Sequence, residues 1–211
     1  MFTLLIKEIR SFLSSLIGYI AIGVFITGIG TFMWLVPTDS AGSNVIETGF
    51  ANIDSLFILA PWVYLFLIPA ITMRSFSEEK KTGTIELLLT RPLTELQIVL
   101  AKYFAGVVLV IVSLLPTLIY YYSVHQLGAP KGNIDTGGMW GSYIGLLFLG
   151  AGFVAVGTFA SAISENQVIA FIMALLLCFI TYVGFDFISA SGIFGKYDAL
   201  VKGLGMNAHY I

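Results

Sequence analysis

The sequence predicts an all-α membrane protein that crosses the bilayer several times. Apolar residues make up 58% of its 211 residues and charged residues only 10%, where a soluble domain carries about 25% charged residues. The apolar residues also fall into long runs, and a helix needs about 20 of them to cross a bilayer. Because lipid cannot satisfy bare backbone groups, each of these runs is predicted to be helical.

Composition argues against several other classes of function. The net charge of −2, without a basic tail, gives no reason to expect a nucleic-acid partner. The one cysteine, Cys178, lies in an apolar run, so neither a disulfide framework nor a cysteine metal site is expected. His125 and His209 are isolated in the sequence, and the pair Gly195-Lys196 lacks the rest of a phosphate-binding loop. We therefore expect no cofactor in this chain.

The first ten residues predict a separate amphipathic helix that lies at the membrane interface. Its apolar and polar residues would occupy opposite faces: Phe2, Leu5, Ile6 and Ile9 against Thr3, Lys7 and Arg10. The alternative is a frayed terminus that carries only topogenic charge. The uncharged run that follows, residues 11–36, is longer than the apolar part of a cleaved signal peptide, which predicts a retained span.

Five spans are predicted in a single transmembrane domain over residues 1–211, at about 12–36, 55–73, 98–123, 139–163 and 167–190. Residues 191–211 are less apolar and predict a short segment on the outer side. Pro61 and Pro69 predict a bend in the second span. Gly141 and Gly145 form a GxxxG pair in the fourth, which predicts close helix packing within this chain or against another.

Basic residues are divided unequally between the two sides of the predicted membrane. Seven of the ten lie on the side of the N-terminus, against three on the other: Lys7, Arg10, Arg74, Lys80, Lys81, Arg91 and Lys102 against Lys131, Lys196 and Lys202. Because segments rich in Lys and Arg stay in the cytoplasm, the N-terminus and the loop after the second span are predicted to be cytoplasmic.

That loop, residues 74–97, is predicted to hold two short helices separated by Gly83. Thr84 is the predicted N-cap of the second one, and Pro92 ends it. The residues Ile85, Leu88 and Leu89 share one apolar face of this helix. Such a face would lie on the membrane surface or dock into a groove on a soluble protein.

Capping boxes are predicted at three helix starts on the same side, at Ser75–Glu78, Thr94–Gln97 and Ser164–Gln167. The last one follows a very short loop, so the fourth and fifth spans are predicted to form an antiparallel hairpin. Near the outer end of the fifth span lies Asp186. It is either a functional intramembrane charge or a residue that is hydrated or paired with a neighbour.

Residues 77–103 resemble the hallmark cytoplasmic segment of ABC-2-type transporter permeases, which runs E-x-x-x-G-T-x-E-x-L-L-x-x-P. The matching residues are Glu79, Gly83, Thr84, Glu86, Leu88, Leu89 and Pro92. The resemblance implies that this segment, with Ile85 on its apolar face, is a coupling helix that binds a separate ABC ATPase. ATP and Mg²⁺ would then be held by that partner chain and not by this one.

The same resemblance implies a multi-pass protein of the bacterial inner membrane that works with a second permease chain, as a homodimer or heterodimer. Members of the family normally have six spans, whereas five are found here. Within the family, the chain is most similar to the permease subunit of gliding-motility ABC transporters of Bacteroidetes. Permeases associated with copper-enzyme maturation are the nearest rival.

The function expected from these observations is an exporter-type permease subunit without enzymatic activity of its own. An alternative is a membrane anchor or scaffold of a motility or secretion assembly that transports nothing. A glutamate-type intramembrane protease is a third hypothesis, suggested by Glu78-Glu79 and by the spacing of Tyr121 and His125. It is disfavoured because Gly83 stands where that pattern has arginine, and because the topology places His125 on the other side of the membrane.

Overall fold

A computed structural model describes residues 1–36, 44–49, 51–90, 92–192 and 195–210. Every regular element in these ranges is helical. The α-helices are α1 (Phe2–Leu13), α2 (Leu16–Trp34), α3 (Val45–Thr48), α4 (Asp54–Thr72), α5 (Ser77–Lys81), α6 (Thr84–Leu89), α7 (Glu95–Leu114), α8 (Leu118–Leu127), α9 (Thr136–Ile163), α10 (Gln167–Phe179), α11 (Phe185–Ala190), α12 (Asp198–Lys202) and α13 (Asn207–Tyr210). A 3₁₀ turn at Leu115–Thr117 joins α7 to α8, and a π-helical turn at Ile180–Gly184 joins α10 to α11.

Within the described ranges, four continuous helical stretches are long and apolar enough to cross a membrane. These are Asp54–Lys81, Glu95–Leu127, Thr136–Ile163 and Gln167–Ala190, and a fifth is counted if the bent pair α1–α2 forms one span. The predicted class, an all-α polytopic membrane protein, is confirmed.

The helix that covers most of the predicted first span is α2, which begins at Leu16 and not at residue 12. The chain bends by 66° between the first two helices, because Ser15 is extended and caps α2 by accepting a hydrogen bond from the Gly18 amide. Residues 12 and 13 therefore belong to α1.

The helices run alternately between two ends of one bundle. The end that carries α1, α5 and α6 is called here the connector end, and residues 73–94, which join α4 to α7, are called the connector. The opposite end carries α3, α12 and α13. A loop of only three residues separates α9 from α10, which pack against each other along their length.

The central helix of the bundle is α4, which packs against α2, α7, α9 and α10. One face of it is fully buried along its whole length, at Leu56, Ala60, Tyr64 and Ile68. The Tyr64 ring stacks on Phe25 of α2 with centroids 5.5 Å apart. Both predicted prolines lie inside this helix, which nevertheless continues through them.

Glycine allows the closest helix contacts at positions other than the predicted pair. A Cβ atom on Gly157 of α9 would lie only 2.2 Å from the Thr72 hydroxyl oxygen of α4. Likewise, a Cβ atom on Gly106 of α7 would lie 2.6 Å from a methyl carbon of Val154. Helix backbones therefore approach closely at these two glycines, where any side chain would collide with the neighbouring helix.

The surroundings of Gly141 and Gly145 are more open. A Cβ atom on Gly141 would meet nothing within 4 Å, and one on Gly145 would make only an ordinary contact, 3.7 Å from the Tyr210 ring. A packing role for this pair against another chain stays a prediction.

The C-terminal segment folds back, as short helices and turns, onto the ends of the spans that lie opposite the connector. The Asn207 side-chain amide donates to the Asp186 carboxylate at 2.6 Å, and the Tyr210 hydroxyl donates to the Phe57 carbonyl oxygen at 2.6 Å. Asp186 is thus paired with a neighbour, which is one of the two alternatives that the sequence left open.

Of the three predicted capping boxes, the one at Thr94 is formed, with both reciprocal hydrogen bonds. The other two predictions were wrong. α5 begins only at Ser77, so the Ser75 side chain caps nothing there. The side chain of Ser164 instead closes a local turn by accepting from the amide of Asn166, and it is Asn166 that caps α10. Short hydroxyl side chains compete with a helix start in this way.

We expect Gly157→Ala to lower the stability of the folded protein by about 1–3 kcal/mol, because the added methyl group overpacks the contact with Thr72. Gly141→Ala is the matched control: it lies in the same helix with open space around it, so it should be neutral or slightly stabilising. Unfolding by denaturing detergent, followed by circular dichroism, measures both. Equal effects of the two variants would contradict the packing argument.

Candidate partner-binding surface at the connector

A group of charges centred on one buried amine holds the connector against two helices. The Lys102 side chain of α7 is only 1% exposed, and its Nζ lies 3.2 Å from Glu8 Oε1 of α1 and 3.0 Å from Glu79 Oε2 of α5. Lys7 Nζ approaches the other Glu79 oxygen at 3.4 Å. These four residues, Lys7, Glu8, Glu79 and Lys102, are called the ion cluster. A buried ammonium group must be compensated by charge, so the cluster ties α1, α5 and α7 together.

Backbone and aromatic contacts complete the surroundings of the buried amine. Lys102 Nζ also donates to the carbonyl oxygen of Ser75 in the connector, and it lies 4.9 Å from the centre of the Phe76 ring. A cation over an aromatic face is attracted by the ring electrons. Two further residues of the connector are therefore held at the same point as Glu79.

A second attachment joins the connector to α9. The Ser161 hydroxyl accepts from the backbone amides of Phe76 and Ser77, at 3.0 and 3.2 Å, and donates to the carbonyl oxygen of Met73 at 3.0 Å. The Lys80 amine donates to the backbone at the end of the same helix. The start of the connector is thus bound to the ends of three different helices.

Behind α6 lies a small hydrophobic core, distinct from the main one. It is formed by Leu4, Phe76, Ile98 and Ala101, with Ile85 and Leu88 packed against it. The apolar face of α6 that the sequence offered to a partner therefore points into the protein. The inward direction of this face depends on Leu4 of α1, which lies over the connector. The sequence gives no direct sign of the contact between α1 and the connector.

The surface of α6 that faces away from the protein is carried by other residues. Leu87 is 67% exposed, and the neighbouring Glu86 is exposed as well. Gly83 precedes the helix with φ of +70°, a conformation that favours glycine, and it is exposed. Thr84 is the first helical residue and makes no cap, so its predicted capping role was wrong. Its hydroxyl instead lies 2.9 Å from that of Thr82.

Several predicted docking residues therefore have different surroundings from those expected. Glu79 is mostly buried in the ion cluster, while Pro92 is exposed just beyond α6. The backbone of Leu89 ends α6, but its side chain lies outside what the structure describes, as does Arg91. The sequence did not predict that Leu87 is the exposed leucine of α6. Ile85 and Leu88, three residues apart, share the inner face of this helix, and that spacing places Leu87 on another face.

A groove of about 590 Å³ runs between α1 and the connector. Its walls are formed on one side by α1 and on the other by α5, α6 and the residues after α6: Thr3, Leu4 and Lys7 against Glu79, Thr84, Leu87, Leu88, Pro92 and Leu93. A partner that reached Leu87 would therefore also meet α1.

The geometry gives no support to the protease hypothesis. Glu79 pairs with Lys102 near the start of α7, whereas His125 lies 23 residues further along α7 and α8, about 35 Å away at 1.5 Å per residue. Among the residues that the structure describes, no group of three or more His, Cys, Asp or Glu residues is placed to hold a metal ion.

The geometry defines a helical membrane protein with a surface connector, and the sequence comparison supplies its family. The profile of the ABC-2 family transporter proteins matches residues 34–196, which is more than half of the chain. The chain therefore belongs to the ABC-2 transporter family. Proteins of this family are membrane components of ABC transporters and imply an ABC ATPase as partner. No curated protein and no solved structure matches the chain.

We expect Lys102→Met to destabilise the protein by about 3 kcal/mol, because it leaves Glu8 and Glu79 facing each other without the buried cation. Lys81→Met is the matched control, since Lys81 is exposed at the same end of the bundle. Detergent unfolding measures both variants. Glu79→Gln is then made both in the unaltered protein and in the Lys102→Met variant. If it lowers the free energy of unfolding equally in both, the two residues are not coupled and the cluster does not act as described.

Proposed function

We propose that this chain is the permease subunit of an exporter-type ABC transporter in the bacterial inner membrane, and that a separate ABC ATPase docks on α6. The N-terminus and the connector lie in the cytoplasm. The observation that carries this proposal is the two-sided character of α6. Its outer face presents Leu87 and Glu86, while its inner face is held against the protein by the small core.

This arrangement suits the transmission of force from a soluble partner. Pressure on α6 would pass through the small core to α1 and α7, and through the Ser161 contacts to α9. Since helix ends that are joined by hydrogen bonds and ion pairs move together, the ends of the spans would shift as a group. ATP and Mg²⁺ would be bound by the ATPase, whose hydrolysis drives that shift.

A second permease chain would complete the transporter, as a homodimer or heterodimer. Support comes from the large apolar surface that α2 and α10 leave uncovered, which includes Leu16, Ile20, Ile172 and Leu176. Lipid and a second chain would share this surface.

Assignment to gliding motility rests on the resemblance of the sequence alone.

We expect Leu87→Asp to abolish co-purification with the cognate ABC ATPase while leaving the fold intact, because Leu87 is exposed and makes no core contact. Leu204→Asp is the matched control: Leu204 is as exposed as Leu87 but lies at the opposite end of the bundle. Affinity purification of the complex, with ATP turnover as a second readout, compares them.

A complex that survives Leu87→Asp with unchanged ATP turnover would overturn docking on α6. If the ATPase stays bound while its turnover becomes insensitive to changes in the connector, a scaffold without a transport cycle is favoured instead. Whereas Leu87→Asp tests the outer face of α6, Leu88→Asp tests the inner face, because Leu88 packs on the small core. It should lower stability as well as binding.

Single cysteines test the orientation. Cys178 is fully buried, so it gives little background labelling. Lys81→Cys and Lys131→Cys place exposed thiols at the connector end and the opposite end. In intact spheroplasts, a membrane-impermeant maleimide should label the cysteine at position 131 and spare the one at 81, and inverted vesicles should reverse this pattern. The opposite result would place the connector outside and exclude an intracellular ATPase partner.

A further inference from the structure

A small cavity behind α1 is unlike the grooves on the outside of the bundle. Its volume is about 70 Å³, several times the space that one bound water needs, and it lies between α1, the end of α4 and α7. One part of its lining is charged, with Arg74, Lys102 and Glu8. Another part is apolar, with Phe12 and Leu109. The cavity therefore combines charged and apolar lining.

Arg74 is the unexplained residue in this cavity. Its Nε atom is buried and has no hydrogen-bond partner, and no ion pair or hydrogen bond of its side chain is found within the described residues. Arg74 as a whole is only partly buried, but a buried Nε–H donor without an acceptor costs free energy, since this atom has given up its water. Arg74 thus has unused capacity to bind an acceptor that is not part of this chain.

The charges around the cavity do not cancel. The ion cluster contains two lysines and two carboxylates, which compensate one another. Arg74 adds a third cation without a third carboxylate, so the cavity carries one excess positive charge. Ser11 and Thr158 also line it: the Ser11 hydroxyl can donate a hydrogen bond, whereas the Thr158 hydroxyl already donates to the Ala155 carbonyl oxygen. An anion with several acceptor oxygens matches this set of donors.

The position of the cavity points to the source of such an anion. Arg74 lies two residues beyond the end of α4 at Thr72, and α1 is an amphipathic helix bent away from the first span. Both features belong to the interface between the bilayer and water, where lipid headgroups lie. Basic pockets between helices at this level bind the phosphates of anionic lipids.

We propose that the cavity binds the phosphate group of an anionic lipid headgroup, with Arg74 as its principal ligand. The planar guanidinium group donates two parallel hydrogen bonds to phosphate oxygens, and the hydroxyl of Ser11 donates to the same group. The apolar side chains of Phe12 and Leu109 would contact the glycerol and the first methylene groups. The bound lipid would join α1 to α4 and so support the position of α1 over the connector.

The test uses the full chain in detergent and follows its thermal unfolding during titration with three probes. Dioctanoyl phosphatidylglycerol should raise the Tm in a saturable way. Dioctanoylglycerol, which lacks the phosphate, should not. Inorganic phosphate at the same concentrations should have little effect. An equal shift with inorganic phosphate would assign the site to free phosphate and overturn the lipid source.

Variants then locate the site. Arg74→Gln should raise the phosphatidylglycerol concentration for the half-maximal shift by about tenfold or more, since a hydrogen bond to a charged group is lost. Arg74→Lys should recover part of the binding, because it keeps the charge but not the paired donors. The exposed Lys81 provides the matched control, and Lys81→Gln should respond as the unaltered protein does.

If Arg74→Gln responds to phosphatidylglycerol as the unaltered protein does, the proposal is overturned. It is also overturned if Lys81→Gln weakens the lipid response as much as Arg74→Gln does, because that result would indicate general attraction of an anionic lipid to a basic surface. If Arg74→Gln does not fold, Ser11→Leu gives a second measurement, because it places a bulky side chain at the cavity without changing charge. Loss of the lipid response in that variant supports the site, and retention contradicts it. If the Tm rises only when the ATPase is added, and not with phosphatidylglycerol alone, Arg74 pairs with the partner protein and the lipid proposal is overturned.

Discussion

The burial of the Lys102 amine is the constraint on which the connector end of this protein depends. An ammonium group with 1% of its side chain exposed is tolerated only if carboxylates and carbonyl oxygens surround it, and they come from separate parts of the chain. Glu8 arrives on α1 and Glu79 on α5. The amphipathic helix, the connector and the third span must therefore keep one relative position, which in turn lets α1 cover the small core.

The ion cluster also determines which parts of the connector are free to meet another protein. Residues before Gly83 are committed to the bundle through the ion cluster and through Ser161. Beyond Gly83, the inner face of α6 is occupied by the small core, which leaves Leu87 and Glu86 outside. A short helix held from behind in this way has a defined orientation.

The hallmark pattern of the connector combines residues with different physical tasks. Glu79 matches the pattern but serves an internal ion pair, while Gly83 supplies the left-handed turn that separates α5 from α6. Leu88 matches it and packs inward, whereas the exposed Leu87 stands at a position where the pattern allows any residue. A motif of this kind therefore reports how the connector is built as much as what it binds.

The sequence by itself determined the fold class, the approximate spans and the break at Gly83, because hydropathy, charge distribution and glycine conformation act locally along the chain. It could not determine which face of α6 is covered, since that depends on Leu4, some 80 residues away in the chain. Nor could it show that Lys102 meets Glu8 and Glu79, or that the buried Arg74 Nε atom finds no acceptor among the described residues. Pairing of charges within a bundle follows from the packing of helices that are distant in sequence, and only the tertiary structure decides it.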